Sequence, residues 1–329
     1  MSGSNVTAIV GHGELASFAQ SNVNLPFDKV IEYRGRVTGL RETLEAKIEA
    51  DPAYAVVRAV AAGSLAKGTA LRTTSDFDLA VYLRPDQVPQ DERELLPWLV
   101  ERLKEARPRL DADQFTMKDH CACIVYKDRR EVDVVPVIDA GVGNGDGNLI
   151  RKDTGEPLRT NIPRHIEFIR TRKARQPVHF RQGIRLVKWW AEQLKLQDET
   201  FRFKSYLSEL LCAHLLDQCE VNFQNYTEML MGVFGYLTRT GLTEPIIFED
   251  YYQRSAVPRS AAGIMTVIDA VNPTNNIVAD YTESQRQAIV TAAAAALDAI
   301  ADAEYTPYSA QAASDWQEVL GAQFRGRHR

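Results

Sequence analysis

Residues 62–79 read AGSLAKGTALRTTSDFDL, and two pieces of this stretch carry chemistry. Ala62-Gly63-Ser64-Leu65-Ala66-Lys67-Gly68-Thr69 follows the short apolar run 55–62. A Gly-Ser at a strand-to-helix junction leaves backbone N–H groups and a hydroxyl facing outward. Small residues there admit close approach, and a helix start favours negative charge, so the turn is suited to a triphosphate. Ser75-Asp76-Phe77-Asp78-Leu79 then opens a second apolar run, 78–83. Strand side chains alternate, so Asp76 and Asp78 point to one side and converge. Paired carboxylate oxygens suit Mg²⁺.

An Asp-x-Asp pair taken alone reads more readily as two solvated charges at a strand edge. A third carboxylate reverses that balance. Asp133 lies inside Val132-Asp133-Val134-Val135-Pro136, an apolar run in which an unpaired charge is costly. If its strand lies beside that of Asp76 and Asp78, three carboxylates meet. They then bind two divalent cations and leave one oxygen to accept a proton from an attacking hydroxyl. Glu131 shares the facing of Asp133 and reads as an extra ligand or as a strand-edge charge.

Outward from this stretch, Tyr33, Val37, Leu40, Leu44 and Ile48 recur at three- and four-residue steps, predicting one long amphipathic helix from Pro26 to the stop at Asp51-Pro52. The runs 55–62, 78–83, 122–126 and 132–138 predict strands, and Leu95, Leu96, Leu99, Val100 and Leu103 a helix between the second and third. Together they predict an α/β layer with a covering helix. The segment GVGNGDGN at 141–148 reads as a plain surface connection or as a lid. After it helical patterns dominate: 165–196, 206–219, 226–237, 283–303 and 310–324. The expected domains are 1–160 and a helical lobe 161–329, packed together around a cleft.

The chain of 329 residues, 45% hydrophobic and 25% charged, has the composition of one large or two modest globular domains. With 39 Lys and Arg against 44 Asp and Glu, the formal charge is −5, so a nucleic-acid partner would need a local basic patch. The cysteines at 121, 123, 212 and 219 show neither a disulfide framework nor zinc spacing and read as mostly buried thiols of a reducing compartment, the cytoplasm. Met1–Gly13 has no basic start or apolar core of a signal peptide, and the alanine-rich stretch Thr291–Ile300 is too short to span a bilayer. No membrane association is expected.

The ordered set of Gly-Ser, Asp-x-Asp and a later strand Asp resembles the nucleotidyltransferase superfamily of DNA polymerase β. That resemblance implies an α/β, polymerase-β-like core with a mixed sheet, a long N-terminal spine helix and a C-terminal helical lobe. In the second half, Val187-Lys188-Trp189-Trp190, then Phe203-Lys204-Ser205-Tyr206-Leu207-Ser208-Glu209-Leu210-Leu211, then Asp269-Ala270-Val271-Asn272-Pro273-Thr274-Asn275-Asn276 resemble motifs of the oligoadenylate synthetase and cyclic GMP-AMP synthase group. More closely, they are similar to the bacterial CD-NTases, the CBASS cyclic oligonucleotide synthases of anti-phage defence. GSLAKGTALR, VDVVPV, FRFKSY and NPTNN resemble clade C, with clade D as near neighbour, and the likeness covers residues 15 to 324.

The resemblance implies that Gly63 and Ser64 hold the donor triphosphate and that Lys188 and Ser205 reach the same phosphates. Tyr206 stacks on a base or anchors the bundle core. Asn275 and Asn276 read base edges or cap the turn before Ile277, with capping preferred for at least one. It further implies two Mg²⁺ ions, with Mn²⁺ as a substitute, ATP as preferred substrate, and a product that is cyclic triadenylate or another adenine-containing cyclic di- or trinucleotide. The partner expected is a HORMA-type regulatory protein. Duplex DNA is a further expected activator, because Arg164, Arg170, Arg172, Lys173, Arg175, Arg181, Arg185 and Lys188 face the single acid Glu167 across 164–188. Such a run lines a groove for a phosphate backbone, with Arg170, Arg172, Lys173 and Arg175 as contacts, or is a solvated helix face. The zinc insertion of the animal DNA sensor is absent from the sequence, and the basic tail from Phe324 lacks the terminal glycine of conjugated family members. The rival readings are transfer to another acceptor, such as an RNA end, a protein or a small molecule, and a nucleotide-binding scaffold without turnover.

Overall fold

The computed structural model describes residues 10–50, 55–89, 92–118, 121–141, 143–150 and 157–326. The expected helix stop at Asp51-Pro52 and the last residues of the basic tail lie outside them. The first described helix, α1 (His12–Phe18), runs into a π-helical turn at Ala19–Val23, and the long helix α2 (Phe27–Ala50) follows. The chain divides into two units, Leu25–Phe168 on the one hand and Met1–Asn24 with Ile169–Arg329 on the other.

Alternating side chains organise the first unit. Its strands are β1 (Val56–Ala61), β2 (Asp76–Leu83), β3 (Phe115–Met117), β4 (Ala122–Val125), β5 (Glu131–Asp139), β6 (Asp146–Ile150) and β7 (Pro157–Asn161). They form one sheet ordered β1-β2-β5-β4-β3, with β6 on β5 and β7 on β6. β2 and β5 run parallel and the other pairs antiparallel, so the sheet is mixed, as expected. On one face Phe77, Leu79, Val81, Val132, Val134, Ala122 and Ile124 are buried. Over them lie Tyr33, Val37, Leu40 and Leu44 of α2 and Leu95, Leu99 and Leu103 of α4 (Glu92–Ala106). The i, i+4, i+7, i+11 spacing in α2 is the apolar stripe read from the sequence, and Tyr33 stacks on Phe77 at 4.4 Å between ring centroids. With one face covered, the opposite face receives every second residue of each strand.

Residues 144–148 of the glycine-rich segment are pinned where the chain runs into β6. Gly141, Gly143 and Gly145 have positive φ, and Asn161 Nδ2 donates to Asp146 Oδ1 at 2.9 Å. Tyr82, fully buried, donates its hydroxyl to the Gly145 carbonyl at 2.9 Å and accepts from the Ile162 N–H at 3.3 Å. Gly147 is required inside β6, since a Cβ there would stand 2.5 Å from Val137 and 2.8 Å from the Ile138 carbonyl.

The second unit is helical: α6 (His179–Gln197), α7 (Ser205–Asp217), α8 (Tyr226–Thr240), α9 (Glu283–Tyr305) and α10 (Ser309–Leu320) follow α5 (Ile162–Arg175), which runs across the unit boundary. A single helix over 165–196 was expected. It breaks between Arg175 and His179 at Gln176-Pro177, because proline bars the preceding residue from helical backbone. Trp190 sits at the centre with Phe201, Phe203 and Phe234 around it. The N-terminal segment belongs with this unit and not with the sheet, because Phe18 packs edge-on against Trp189 and Phe324 and Leu15, Ala19 and Val23 are buried on the same stripe.

Replacing Tyr82 with Phe strands the Gly145 carbonyl and the Ile162 N–H in the interior. Denaturant unfolding should show a loss of about 1–3 kcal/mol.

Candidate active site

The Gly-Ser turn is built together with the Asp-x-Asp strand. After β1 the chain turns into α3 (Gly63–Lys67), closed by Gly68 in the left-handed conformation with φ 71°. Thr69 N–H donates back to the Ser64 carbonyl at 2.8 Å. Gly63 itself has φ +62°, and a Cβ on it would lie 1.7 Å from Asp78 Oδ2. Only glycine allows this backbone and this approach. The Ala62 N–H donates to the Asp78 carbonyl at 2.9 Å, so the carboxylate of Asp78 lies directly against the turn, while Ser64 is half-exposed.

Parallel pairing of β2 with β5 sets Asp76 opposite Glu131 and Asp78 opposite Asp133. All four carboxylates project from the face that α2 and α4 leave uncovered. Exposure falls along the row: Asp76 is exposed, Asp78 half-buried and Asp133 buried. Burial, and after it the charges of Asp76 and Asp133, push the Asp78 carboxyl up to about 6 from its ordinary 3.8. Lys67 and Lys118 pull the other way and do not cancel this. A face of hard oxygen donors that repel one another is what a divalent cation relieves, and the residues therefore fit Mg²⁺ or Mn²⁺.

Two features of this face were not legible in the sequence. Lys118, just past β3, donates to both oxygens of Asp133 at 2.9 and 3.0 Å and also bridges to Glu131. Burial lowers its pKa, but the hydrogen bonds with Glu131 and Asp133 outweigh that and the net shift is upward. Cys123 stands opposite Asp133 in the antiparallel β4–β5 ladder, with its Sγ 3.6 Å from a Glu131 oxygen. The ligand atoms of Cys123, Glu131 and Asp133 all lie within 4.8 Å of one another. Burial, and then Asp133, pushes the Cys121 thiol up to about 12, and Cys123 is shifted the same way. Both remain protonated donors. Cys121, Cys123 and Cys212 are buried free thiols and Cys219 is exposed.

In the helical unit, Lys188 and Glu209 form an ion pair at 2.7 Å, with side chains 5% and 3% exposed. Lys188 is the residue expected at the phosphates, and Glu209, on the next helix, fixes its ammonium. Ser205 is exposed at the first residue of α7. Tyr206, next to it, has its hydroxyl end in the interior. Burial and the nearby Asp269 raise its pKa well above the ordinary value, while a hydrogen bond with the Ala270 backbone opposes them. Asn276 is buried: its Nδ2 donates to the Ala261 and Met265 carbonyls at 3.0 and 2.8 Å. Its Oδ1 accepts from the Val267 and Val278 N–H groups at 3.1 and 3.2 Å. With both ends of its amide engaged, it holds its loop and does not read a base edge. Asn275 Nδ2 donates to Asp269 at 3.2 Å.

The basic run is not one solvated face, and the expectation for Arg172 is corrected. Arg172 is buried, bonded through Nε to Asp217 at 2.9 Å and through Nη1 to Asp250 at 2.9 Å. Arg175 donates to the same Asp217 at 2.6 Å. The acids that compensate these arginines lie 42 to 78 residues downstream, outside the window in which the excess was counted. Arg170 is exposed and Lys173 half-exposed. Arg185 is held to the inside, where burial and then Arg181 lower its pKa to about 10.

A Gly-Ser turn set against an Asp-x-Asp strand, with a third Asp on the neighbouring parallel strand, defines a nucleotidyltransferase of the polymerase-β type. Residues 40–152 match the nucleotidyltransferase domain family. The cyclic AMP-AMP-AMP synthase of Escherichia coli strain MS 115-1 is 40% identical over 321 residues, 97% of this chain and 99% of that protein. A CBASS oligonucleotide cyclase, CdnC, of E. coli strain KTE188 is 29% identical over 94% of this chain and 96% of its own. The solved structure of E. coli MS115-1 CdnC with ATP matches with a TM-score of 0.92 at 40% identity, covering 97% of this chain and 100% of that one. The same holds for that protein's complex with HORMA-deltaN. This chain belongs to the CD-NTase family, the oligonucleotide cyclases of CBASS, and is a nucleotidyltransferase that makes cyclic oligonucleotides from nucleoside triphosphates. Among the described residues no helix is long and apolar enough to cross a membrane.

The shift of Asp78 has a definite sign in pH. Between its ordinary 3.8 and about 6, the folded protein keeps a proton on Asp78 that the unfolded chain releases. The stability this group contributes therefore falls as pH rises through that window in metal-free buffer. Asp78→Asn should flatten this segment of the unfolding-free-energy profile between pH 4 and 6.5, measured with chelator present. For the helical unit, Glu209→Ala removes the carboxylate that faces a buried ammonium. It should cost about 3–5 kcal/mol in chemical denaturation, with much of the loss recovered in Lys188→Met/Glu209→Leu.

Proposed function

We propose that this cyclase joins ATP head to tail into cyclic triadenylate, releasing pyrophosphate at each bond, at the carboxylate face of the sheet unit. One observation carries the reading: Asp78 is in register with Asp133 and in contact with the Gly63 turn, so carboxylates suited to divalent cations stand beside a turn suited to phosphate. The identity to the E. coli cyclic AMP-AMP-AMP synthase supports the choice of product and substrate.

In this reading Asp76, Asp78 and Asp133 would hold two Mg²⁺ ions, or Mn²⁺ in their place. The ions, when bound, neutralise triphosphate charge and make the α-phosphorus open to attack. Backbone N–H groups at Gly63–Ser64 and the Ser64 hydroxyl orient the donor triphosphate. A carboxylate oxygen of Asp133, buried and therefore fixed in position, takes the proton of the incoming ribose hydroxyl. Ser205, exposed at the start of α7, offers a further phosphate donor. Lys188, buried and paired with Glu209, serves the helical unit in this reading. Tyr206, at the second residue of α7, presents its ring to a base in this reading. Positioning and charge neutralisation supply most of the acceleration.

A HORMA-type protein is the regulatory partner in this reading, supported by the E. coli relative's complex with HORMA-deltaN. The buried free thiols support a reducing, cytoplasmic setting. Duplex DNA is not proposed as an activator, because two of the four expected contacts, Arg172 and Arg175, are engaged by Asp217 and Asp250.

Incubation with the four nucleoside triphosphates, Mg²⁺ and a HORMA partner, with mass spectra taken as each triphosphate is omitted in turn, tests this. A phosphatase-resistant product lost only when ATP is omitted is expected. Asp76→Asn and Asp78→Asn should each lower it at least about 100-fold while the protein stays folded. A linear product, or nucleotide attached to another acceptor, would overturn the cyclic triadenylate reading.

A further inference from the structure

Lys118 reaches the carboxylate face from the strand edge. It follows β3, and its N–H donates to the Cys121 carbonyl at 3.0 Å in the β3–β4 hairpin. β4 lies between β3 and β5, so the side chain passes over β4 to arrive at Glu131 and Asp133, two residues apart on one face of β5. There the ammonium bridges both carboxylates and engages both oxygens of Asp133. The two partners differ in freedom. The Asp133 side chain is 11% exposed and held in a strand, whereas that of Lys118 is 42% exposed, on a flexible stem whose head can swing into water. A mobile cation thus sits on a fixed anion that the proposed function gives to a divalent ion.

We propose that Lys118 is a tethered counter-ion that occupies a cation position on Asp133 and must leave it when a divalent cation binds, so that it sets the metal concentration at which the site loads. The inference rests on the metal-site reading above. Without Lys118, Glu131 and Asp133 would face Asp76 and Asp78 without the ammonium that bridges them. With it, an ion entering from solution binds only to the fraction of molecules in which the ammonium has swung away, and its apparent affinity is reduced by that fraction. Lys118 is in these terms a positioning residue, acting through the charge it places on Asp133.

The test is metal binding without turnover. Free Mn²⁺ is counted by electron paramagnetic resonance in the nucleotide-free full-length protein, for wild type, Lys118→Met, Lys118→Arg, Asp78→Asn and Asp133→Asn. Lys118→Met should bind Mn²⁺ about tenfold tighter than wild type, and Lys118→Arg should stay within about threefold of wild type because it restores the cation. Thermal melting gives a second readout. Lys118→Met should melt below wild type in chelator and close the gap at saturating Mn²⁺. If Lys118→Met binds no tighter than wild type while Asp78→Asn loses Mn²⁺, Lys118 is only a hairpin clamp and the inference falls with the metal site intact. If Asp78→Asn and Asp133→Asn bind Mn²⁺ as wild type does, the metal site fails and the inference fails with it.

Discussion

The parallel ladder between β2 and β5 is the constraint from which the chemistry follows. Pairing Asp78 with Asp133 and Asp76 with Glu131 fixes four carboxylates on one face, because strand side chains alternate and the residues between them, Phe77 and Val132, are buried against α2 and α4 with Val134 beyond. A slip of one residue would send the acids into the apolar core and the core residues to the open face. The apolar face thus holds the acidic one in register, and the repulsion among the acids is tolerated because burial of the other face outweighs it.

That repulsion is expressed in measurable ways. Asp78 is driven upward by burial and by its neighbours, Cys121 and Cys123 stay protonated beside Asp133, and Lys118 is drawn across β4 to bridge Glu131 and Asp133. These are consequences of one anionic field in a partly dry setting. Gly63 adds the complementary element: its left-handed backbone and missing Cβ let an outward-facing turn lie against Asp78. The turn that suits phosphate and the acids that suit divalent cations are one local structure, not two motifs that happen to be near in sequence.

Much of this was legible before the structure. Alternation predicts the shared facing of Asp76 and Asp78, and the cost of a charge inside VDVVPV predicts that Asp133 has partners. The α2 stripe and the four apolar strands follow from periodicity. What was not legible depends on long-range pairing. Lys118 is one lysine near a short hairpin until β4 sets its distance to β5. Glu209 and Lys188 are 21 residues apart, on different helices. Arg172 looks solvated in its own window because Asp217 and Asp250 lie far downstream. β6 and β7, with the sequences DGNLI and PLRTN, are short and polar and carry Gly or Pro, so they give no strand signal. α1 and the turn after it show their stripe, Leu15, Phe18 and Ala19, only once the helices they pack on are known.

The central claim is that the carboxylate face and the Gly63–Ser64 turn together receive a metal-bound triphosphate. The most direct measurement is a crystal structure of the protein soaked with a non-hydrolysable ATP analogue and Mn²⁺, with data collected at the manganese absorption edge. Anomalous peaks bonded to oxygens of Asp76, Asp78 and Asp133, with the triphosphate on the Gly63–Ser64 turn, are the expected result. Manganese bound elsewhere, or a triphosphate that leaves that turn untouched, would contradict it.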